Sequence, residues 1–153
     1  MFKAMMMTGV ALGAVLSVSG AASAADPLKI GVATDMSGTY SSLGEEVMRA
    51  TRFAVDEANA AGGVDGRKVE FKAYDSEAKP DVARRQVEKL VMEGYPVITG
   101  MIASGEGLAI APLMQRWGSL YISVVNKADE LTGANCAPRV FRVNTQSAMD
   151  AAT

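Results

Sequence analysis

The stretch ITGMIASGEGLAIAPL (98–113) places a serine, Ser104, between a short apolar strand and an apolar helix. In an open parallel sheet, ligands bind beyond the carboxyl ends of the strands, and a helix N-terminus there offers backbone N–H groups and partial positive charge. The hydroxyl of Ser104 would add a hydrogen-bonding group at the same place. The pattern indicates a site for a carboxylate or a phosphate, although serine also caps helices, and spacing alone leaves both roles open.

Other kinds of chemistry have little support in the sequence. The chain contains no histidine, which excludes serine–histidine triads, cysteine–histidine pairs and histidine-ligated zinc. The first loop, MSGTYSSLG (36–44), lacks the spacing of a nucleotide-binding glycine loop and is predicted to border a small-molecule site. Asp75 and Glu77 could form an acid–base pair or hold a metal, but without a third ligand a solvated or helix-capping loop is favoured. No cofactor and no metal site are predicted.

The elements that position these loops alternate between strand and helix. Five short runs rich in β-branched and aromatic residues are predicted strands, at 28–34, 69–74, 96–99, 120–125 and 140–143. The first helical pattern starts at Ser42, where Ser42 and Glu45 form a potential capping box, and stops at the Gly62-Gly63 pair. Such alternation with short connections predicts an α/β fold, a doubly wound parallel sheet with helices on both faces.

Each predicted helix carries an apolar stripe at steps of three and four, typical of a face packed on a core. The stripes are Leu43, Val47, Ala50, Ala54 and Ala58 in the first helix, Ala83, Val87, Leu90 and Val91 in the second, and Leu108, Ala111, Met114 and Trp117 in the third. The second helix is predicted to begin at Pro80, since proline suits the first helical position. Pro112 lies inside the third pattern, which predicts a kink or a late helix start.

The two ends of the chain differ from its middle. Lys3, the apolar run 4–18 and the small residues before Asp26 predict a secretory signal peptide, residues 1–25, cleaved after Ala24 or Ala25. The apolar run is too short for a membrane span. We therefore expect an exported, periplasmic product in which residues 26–143 form one domain.

The last ten residues, NTQSAMDAAT (144–153), look like the opening of another helix, so we expect the sequence to be the first part of a longer protein. Cys136 is the only cysteine of the chain and lies in a loop of an exported protein, and we expect it to pair with a cysteine beyond Thr153. The 15 basic and 17 acidic residues form no basic patch, so nucleic acid is not an expected partner.

In order and spacing, several segments resemble the type I periplasmic substrate-binding proteins, in particular the branched-chain amino acid class of ABC transporters. They are DPLKIGVATDMSGTYSSLG, NAAGGVDGR, YDSEAKP and TGMIASGEGLAIAPL, and the resemblance covers nearly the whole mature chain. It implies two similar α/β lobes that close over one ligand. Residues 26–143 would be the N-terminal, flavodoxin-like lobe, and residues 144–153 the start of the hinge or second lobe.

The resemblance also implies site residues. Ser104 matches the family serine that holds the ligand α-carboxylate, with Ala103 and Gly105 beside it. Val125 falls where backbone groups after the fourth strand contact the ligand.

Three further positions are less regular. Lys127 stands where the branched-chain binders have a hydroxyl, and its ammonium could either pair with a carboxylate or point into solvent. Leu43 stands where family members often place an aromatic over the ligand, but it also fits the core stripe of the first helix. Tyr40 is the neighbouring alternative.

The resemblance implies a non-enzymatic solute-binding protein, monomeric at full length, that delivers a small carboxylate ligand, an amino acid of the branched-chain class, to an ABC permease. One lobe alone should bind weakly or not at all, because the partner for the ligand ammonium lies on the second lobe. The alternative is a ligand-sensing receptor lobe of the same fold that binds an amide, urea or aromatic acid. An exported enzyme has little support without a histidine or a nucleophile elbow.

Overall fold

The computed structural model describes residues 25–152, in which five strands form one parallel sheet. The strands are β1 (Leu28–Thr34), β2 (Val69–Asp75), β3 (Val97–Thr99), β4 (Leu120–Ser123) and β5 (Val140–Arg142). Their order is β2-β1-β3-β4-β5, which is the flavodoxin-like arrangement with its switch point between β1 and β3. The predicted doubly wound α/β fold is therefore confirmed. The predicted signal peptide lies almost entirely outside the described residues.

Within residues 25–152, four helices and two 3-10 turns connect or follow the strands. The helices are α1 (Ser41–Ala60), α2 (Pro80–Met92), α3 (Ser104–Ile110) and α4 (Ser147–Asp150), and the 3-10 turns are Ala111–Leu113 and Asp129–Leu131. With this strand order, right-handed crossovers put α1 on one face of the sheet and α2 and α3 on the other. None of the helices within residues 25–152 has the length and apolar character needed to cross a membrane.

The hydrophobic core lies between the sheet and the pair α2 and α3. Its largest fully buried side chains come from both layers and include Ile98 and Tyr121 of the sheet, Leu90 of α2, Ile110 of α3 and Met114. The predicted stripes of α2 and of the third helix contribute several of these contacts, since Ala83, Val87, Leu90, Ala111 and Met114 are all buried.

The predicted core stripe of α1 is wrong. Gly44 is the buried residue of α1, whereas Leu43 is 42% exposed and Ala50 and Ala54 are also exposed. Four residues of the stripe instead line an open groove beside the sheet: Leu43, Val47, Ala50 and Ala54. An amphipathic pattern shows that a face is apolar, and which surface covers that face is decided by distant parts of the chain.

Several element ends also differ from the prediction. The capping box of Ser42 and Glu45 does not form, because α1 begins one residue earlier, after Tyr40, with no side-chain cap bond. Strand β4 ends at Ser123 instead of Val125, and β5 ends at Arg142. The disturbance expected at Pro112 takes the form of a change from α-helix to 3-10 turn at Ala111, where a proline without an N–H is tolerated.

Candidate ligand-binding site

The loops that follow β1 and β2 are tied together at the carboxyl edge of the sheet. The Asp75 carboxylate accepts hydrogen bonds from the backbone N–H groups of Met36, at 3.0 Å, and Glu77, at 2.9 Å. Burial alone would raise the pKa of Asp75, but hydrogen bonds from Ser37, Glu77 and Met36 outweigh it and lower the pKa. The ionised Asp75 carboxylate therefore joins the two loops by accepting these hydrogen bonds. This role favours a structural loop over acid–base chemistry for Asp75 and Glu77.

The loop after β2 has an unusual backbone. Glu77 and Ala78 both have left-handed conformations, with φ of 56° and 55°, which non-glycine residues adopt at a cost. The Ala78 N–H donates a hydrogen bond of 3.0 Å to Asp35 Oδ1, and the Glu77 carboxylate pairs with Lys79 at 2.8 Å. Across residues 25–152, no group of three or more acidic or cysteine side chains is placed to hold a metal ion.

Ser104 is the first residue of α3, and its hydroxyl is not used to cap the helix. Ala103, with an extended backbone, occupies the N-cap position, and no side-chain cap hydrogen bond is formed. Ala103 and Ser104 are half-buried and Gly105 is exposed. The first N–H groups of a helix have no acceptor within it, so the Ser104 hydroxyl and this turn together can bind an anion.

Asn126 joins this turn to the loop after β4. Its side-chain amide nitrogen lies 3.3 Å from the carbonyl oxygen of Ala103 and 3.1 Å from that of Ser104. Its backbone carbonyl accepts hydrogen bonds from Arg142, at 2.7 Å, and from the Asn144 side chain, at 3.0 Å. The fully buried Asn126 thereby fixes the α3 turn against the residues that follow β4 and β5.

An apolar groove of about 570 Å³ brings two of the predicted site residues together. Leu43 of α1 lies on one side of the groove and Val125 on the other, and Thr99 and Val124 contribute from the ends of β3 and β4. The remaining lining residues belong to α1 and are Glu46, Val47, Ala50, Thr51 and Ala54. Within the described chain, the lining of this groove does not include Ser104, Tyr40 or Lys127, and Tyr40 is an exposed residue at the start of α1.

Lys127 is directed at the C-terminal end of the described chain. Its ammonium lies 2.8 Å from the Asp150 carboxylate and 2.5 Å from the Thr145 hydroxyl. The hydrogen bond from Lys127 is the main reason that the pKa of Asp150 is lowered. Lys127 is thus engaged by a carboxylate of the protein itself, next to α4.

Three buried polar residues near the site were not identified from the sequence: Asp35, Glu106 and Asn126. A signal for Glu106 was available, because it precedes the buried Ile110 by four residues and must share its helix face. Asp35 follows β1 directly, at the edge where ligands bind. Asn126 carries no local signal for its contact with the α3 turn, since its partners in that turn lie 22 and 23 residues away.

The sequence profile of the family described as "Periplasmic binding protein" matches residues 27–153. A similar curated protein is the Leu/Ile/Val-binding protein homolog 8 of Brucella suis biovar 1 (strain 1330), 33% identical over 91% of this chain and 34% of its own length. The Leu/Ile/Val-binding protein homolog 4 of Brucella abortus (strain 2308) is 30% identical, over 96% of this chain and 37% of its own. The chain thus spans about a third of the length of these relatives.

Solved structures give the same assignment. The leucine-, isoleucine-, valine-, threonine- and alanine-binding protein of Brucella ovis, in a closed conformation, is 27% identical, with a TM-score of 0.74 over 80% of this chain and 33% of its own. The substrate-binding protein of a branched-chain amino acid transporter from Streptococcus pneumoniae, in complex with isoleucine, is 28% identical, with a TM-score of 0.72 over 78% and 34%. Together with the parallel sheet, these matches show that the chain belongs to the periplasmic binding protein family, and they confirm its resemblance to the branched-chain amino acid class.

Proposed function

We propose that the protein is the solute-binding component of an ABC importer and that it binds a small carboxylate ligand, an amino acid of the branched-chain class. The observation that carries this proposal is the Ser104 hydroxyl, which stands at the first turn of α3 without serving as its cap. The names of relatives, two of them Leu/Ile/Val-binding protein homologues, support the ligand class.

In this proposal the ligand carboxylate is held by the Ser104 hydroxyl and the backbone N–H groups of the turn that includes Ala103 and Gly105. A negatively charged acceptor there gains from both the hydrogen bonds and the helix terminus. The groove between Leu43 and Val125 offers apolar surface for a branched aliphatic side chain. Asn126 supports both regions, because it bonds the turn and directly follows Val125.

We further propose that residues 26–143 form the first of two lobes and that residues 144–153 lead into the second. The length of the relatives supports a second lobe, since this chain covers about a third of each. Closure of two lobes over the ligand would bury it and present a shape that an ABC permease can recognise. The protein would act in the periplasm as a monomer after removal of residues 1–25, and the function involves no chemical reaction.

The proposal is tested by calorimetric titration of the full-length protein with L-leucine, L-isoleucine and L-valine, each compared with L-leucinamide. Leucinamide retains the side chain and the ammonium but lacks the carboxylate. We expect branched-chain amino acids to bind and leucinamide to bind at least tenfold more weakly, because a charged acceptor is lost. Equal affinity for leucine and leucinamide would contradict the assignment of Ser104. Binding of urea or an aromatic acid in place of these amino acids would contradict the ligand class.

A further inference from the structure

Two carboxyl side chains are buried directly behind the Ser104 turn. Asp35, at the end of β1, and Glu106, in the first turn of α3, both have no exposed surface. Asp35 Oδ1 accepts hydrogen bonds from the Ser76 hydroxyl, at 2.7 Å, and from the Ala78 N–H. The other oxygen of Asp35 and both oxygens of Glu106 are buried and make no well-formed hydrogen bond, although the Ser76 hydroxyl, the Asp35 carboxyl and the Ala103 backbone are close enough to act on Glu106. Two adjacent buried anions are costly, so one carboxyl of the pair must keep its proton.

The groups around Glu106 indicate that it is the carboxyl that keeps the proton. Burial is the largest cause that raises the pKa of Glu106, to about 8, and the negative charge of Asp35 raises it further. The Ser76 hydroxyl and the backbone of Ala103 act in the opposite direction and are outweighed. Asp35 differs from Glu106 in that its Oδ1 already accepts hydrogen bonds from two donors.

Among the described residues 25–152, no lysine or arginine is among the main causes that set the pKa of Glu106. Burial raises the pKa of Tyr121, in β4, to about 12, and the charge of Glu106 also raises it, so the Tyr121 hydroxyl stays neutral. The charge of Arg142, in β5, lowers the pKa of Tyr121, and the Arg142 guanidinium donates hydrogen bonds to the backbone carbonyls of Asn126 and Ala128.

The side of α2 that packs on α3 is apolar, with buried Val82, Ala83 and Val87. The 3-10 turn after β4 contributes the buried Leu131, and its Asp129 caps the Ala148 N–H.

We propose that binding of a carboxylate ligand at the Ser104 turn is coupled to the uptake of one proton by the side chain of Glu106. The proposal rests on the proposed function, because it needs an anion at this turn. Glu106 lies two residues after Ser104, and its N–H donates to the Ala103 carbonyl at 3.1 Å. A ligand carboxylate at this turn therefore adds a second negative charge, besides that of Asp35, near the protonated Glu106.

The direction of the coupling follows from this added charge. A nearby anion increases the proton affinity of Glu106, so the bound protein holds its proton up to a higher pH than the free protein. Above about pH 8 the free protein loses the proton. Binding must then recover it from solvent, and the affinity falls by up to tenfold for each further pH unit. Well below pH 8, Glu106 is protonated in both states and the coupling vanishes.

The test is calorimetric titration of the full-length protein with L-leucine at pH 6.5 and pH 8.0. Each titration is run in two buffers whose ionisation enthalpies differ, HEPES and Tris at pH 8.0 and PIPES and imidazole at pH 6.5, so the difference in heat counts the protons taken up. We expect uptake of a fraction of a proton at pH 8.0 and almost none at pH 6.5. Glu106→Gln keeps the shape of the protonated side chain but cannot titrate. The only proton uptake that remains should come from the small fraction of ligand amino groups that are deprotonated in solution and become protonated on binding. Equal proton uptake by the two proteins at pH 8.0 would overturn the proposal.

A second variant and a ligand-free measurement separate the possible failures. Asp35→Asn removes a negative charge beside Glu106 and should move the onset of proton uptake to lower pH. An unchanged onset would contradict the claim that Asp35 raises the pKa of Glu106. In the unliganded protein, the ¹³C resonance of the Glu106 carboxyl should titrate near pH 8. Titration near its ordinary pKa would overturn the coupling and leave the proposed function standing. Absence of leucine binding to a protein whose Glu106 titrates near pH 8 would overturn the proposed function and the coupling with it, while the buried pair itself would stand.

Discussion

The side-chain amide of Asn126 donates a hydrogen bond of 3.1 Å to the backbone carbonyl oxygen of Ser104. On its other side, Asn126 Oδ1 accepts a hydrogen bond from the Ala128 N–H at 3.1 Å. One fully buried side chain therefore joins the first turn of α3 to the loop after β4. These two segments carry Ser104 and Val125, so the geometry of the proposed site depends on a residue that need not touch the ligand.

Replacing Asn126 by alanine should weaken both folding and binding. The substitution leaves the carbonyl oxygens of Ala103 and Ser104 without their donor, and we expect a loss of about 2–4 kcal/mol in the free energy of unfolding. Leucine affinity should fall at least tenfold because the turn is no longer held. Urea unfolding and calorimetry measure the two effects, with the exposed Asn135→Ala as control. A folded Asn126→Ala protein with unchanged affinity would contradict this role.

Ser104→Ala should separate binding from stability. Loss of a hydrogen bond to a charged ligand costs about 1.5–3 kcal/mol, so leucine affinity should fall roughly ten- to hundredfold. The free energy of unfolding should change by less than about 0.5 kcal/mol, since no cap bond is lost and alanine is a better helix former. Ser42→Ala, at an exposed position of α1, is the matched control for affinity. A large loss of stability in Ser104→Ala would show that the hydroxyl has a structural role.

Gly44→Ala should displace the start of α1. A Cβ at this position would lie 2.0 Å from the backbone carbonyl oxygen of Asp35, which is far inside contact distance. Alanine normally stabilises a helix relative to glycine by about 1 kcal/mol, but this clash should reverse the sign and cost about 1–3 kcal/mol. Thermal unfolding measures the change, with Glu45→Ala as the neighbouring exposed control. A more stable Gly44→Ala protein would mean that α1 can shift away from Asp35 at little cost.

The sheet and its helices were predictable because their signals are local. Buried strands and amphipathic helices can each be recognised within a short stretch of sequence, and short connections between them leave few topologies. The burial of α1 was not predictable in the same way. Leu43 has the spacing of a core residue, and its exposure depends on what covers the second face of the sheet, which the spacing within α1 does not contain.

The site was predictable only in part, for a related reason. Ser104 could be found because its position between a strand and a helix has a physical meaning of its own. The partners of Asn126 in the α3 turn lie 22 and 23 residues away in the chain and those of Lys127 lie 18 and 23 residues away, and no pattern near them specifies those contacts. Long-range hydrogen bonds between loops become visible only once the sheet has brought the loops together.

Lys127→Met should have a small effect on ligand affinity. The Lys127 ammonium is already paired with the Asp150 carboxylate and bonded to Thr145, so little of its charge is available to a ligand. We expect leucine affinity to change by less than about threefold, and the melting temperature by less than about 2 °C, because the pair is solvent-exposed. An affinity loss of tenfold or more would instead assign Lys127 to the carboxylate site, where the family's hydroxyl stands.

The stability of the protein should fall as the pH rises from about 4.5 to about 8. Burial raises the pKa of Glu106 from 4.5 to about 8, so in this window the folded protein keeps a proton that the unfolded chain has lost. The stabilisation is complete below pH 4.5 and is lost by at most about 1.4 kcal/mol per pH unit until Glu106 ionises in the folded state. Other groups affect stability outside this pH window. Four carboxyl groups with lowered pKa values act below it: Asp75, Asp81, Glu93 and Asp150. Two lysines with raised pKa values, Lys72 and Lys79, act above it.

Urea unfolding of the full-length protein at pH 5, 6, 7, 8 and 9 measures this dependence on Glu106. The wild-type free energy of unfolding should decline to about pH 8 and then level off. Glu106→Gln should flatten the profile because the glutamine does not titrate, whereas Glu130→Gln, at an exposed position, should keep the wild-type slope. If the Glu106→Gln and wild-type profiles run parallel from pH 5 to 9, Glu106 does not hold its proton in the folded protein.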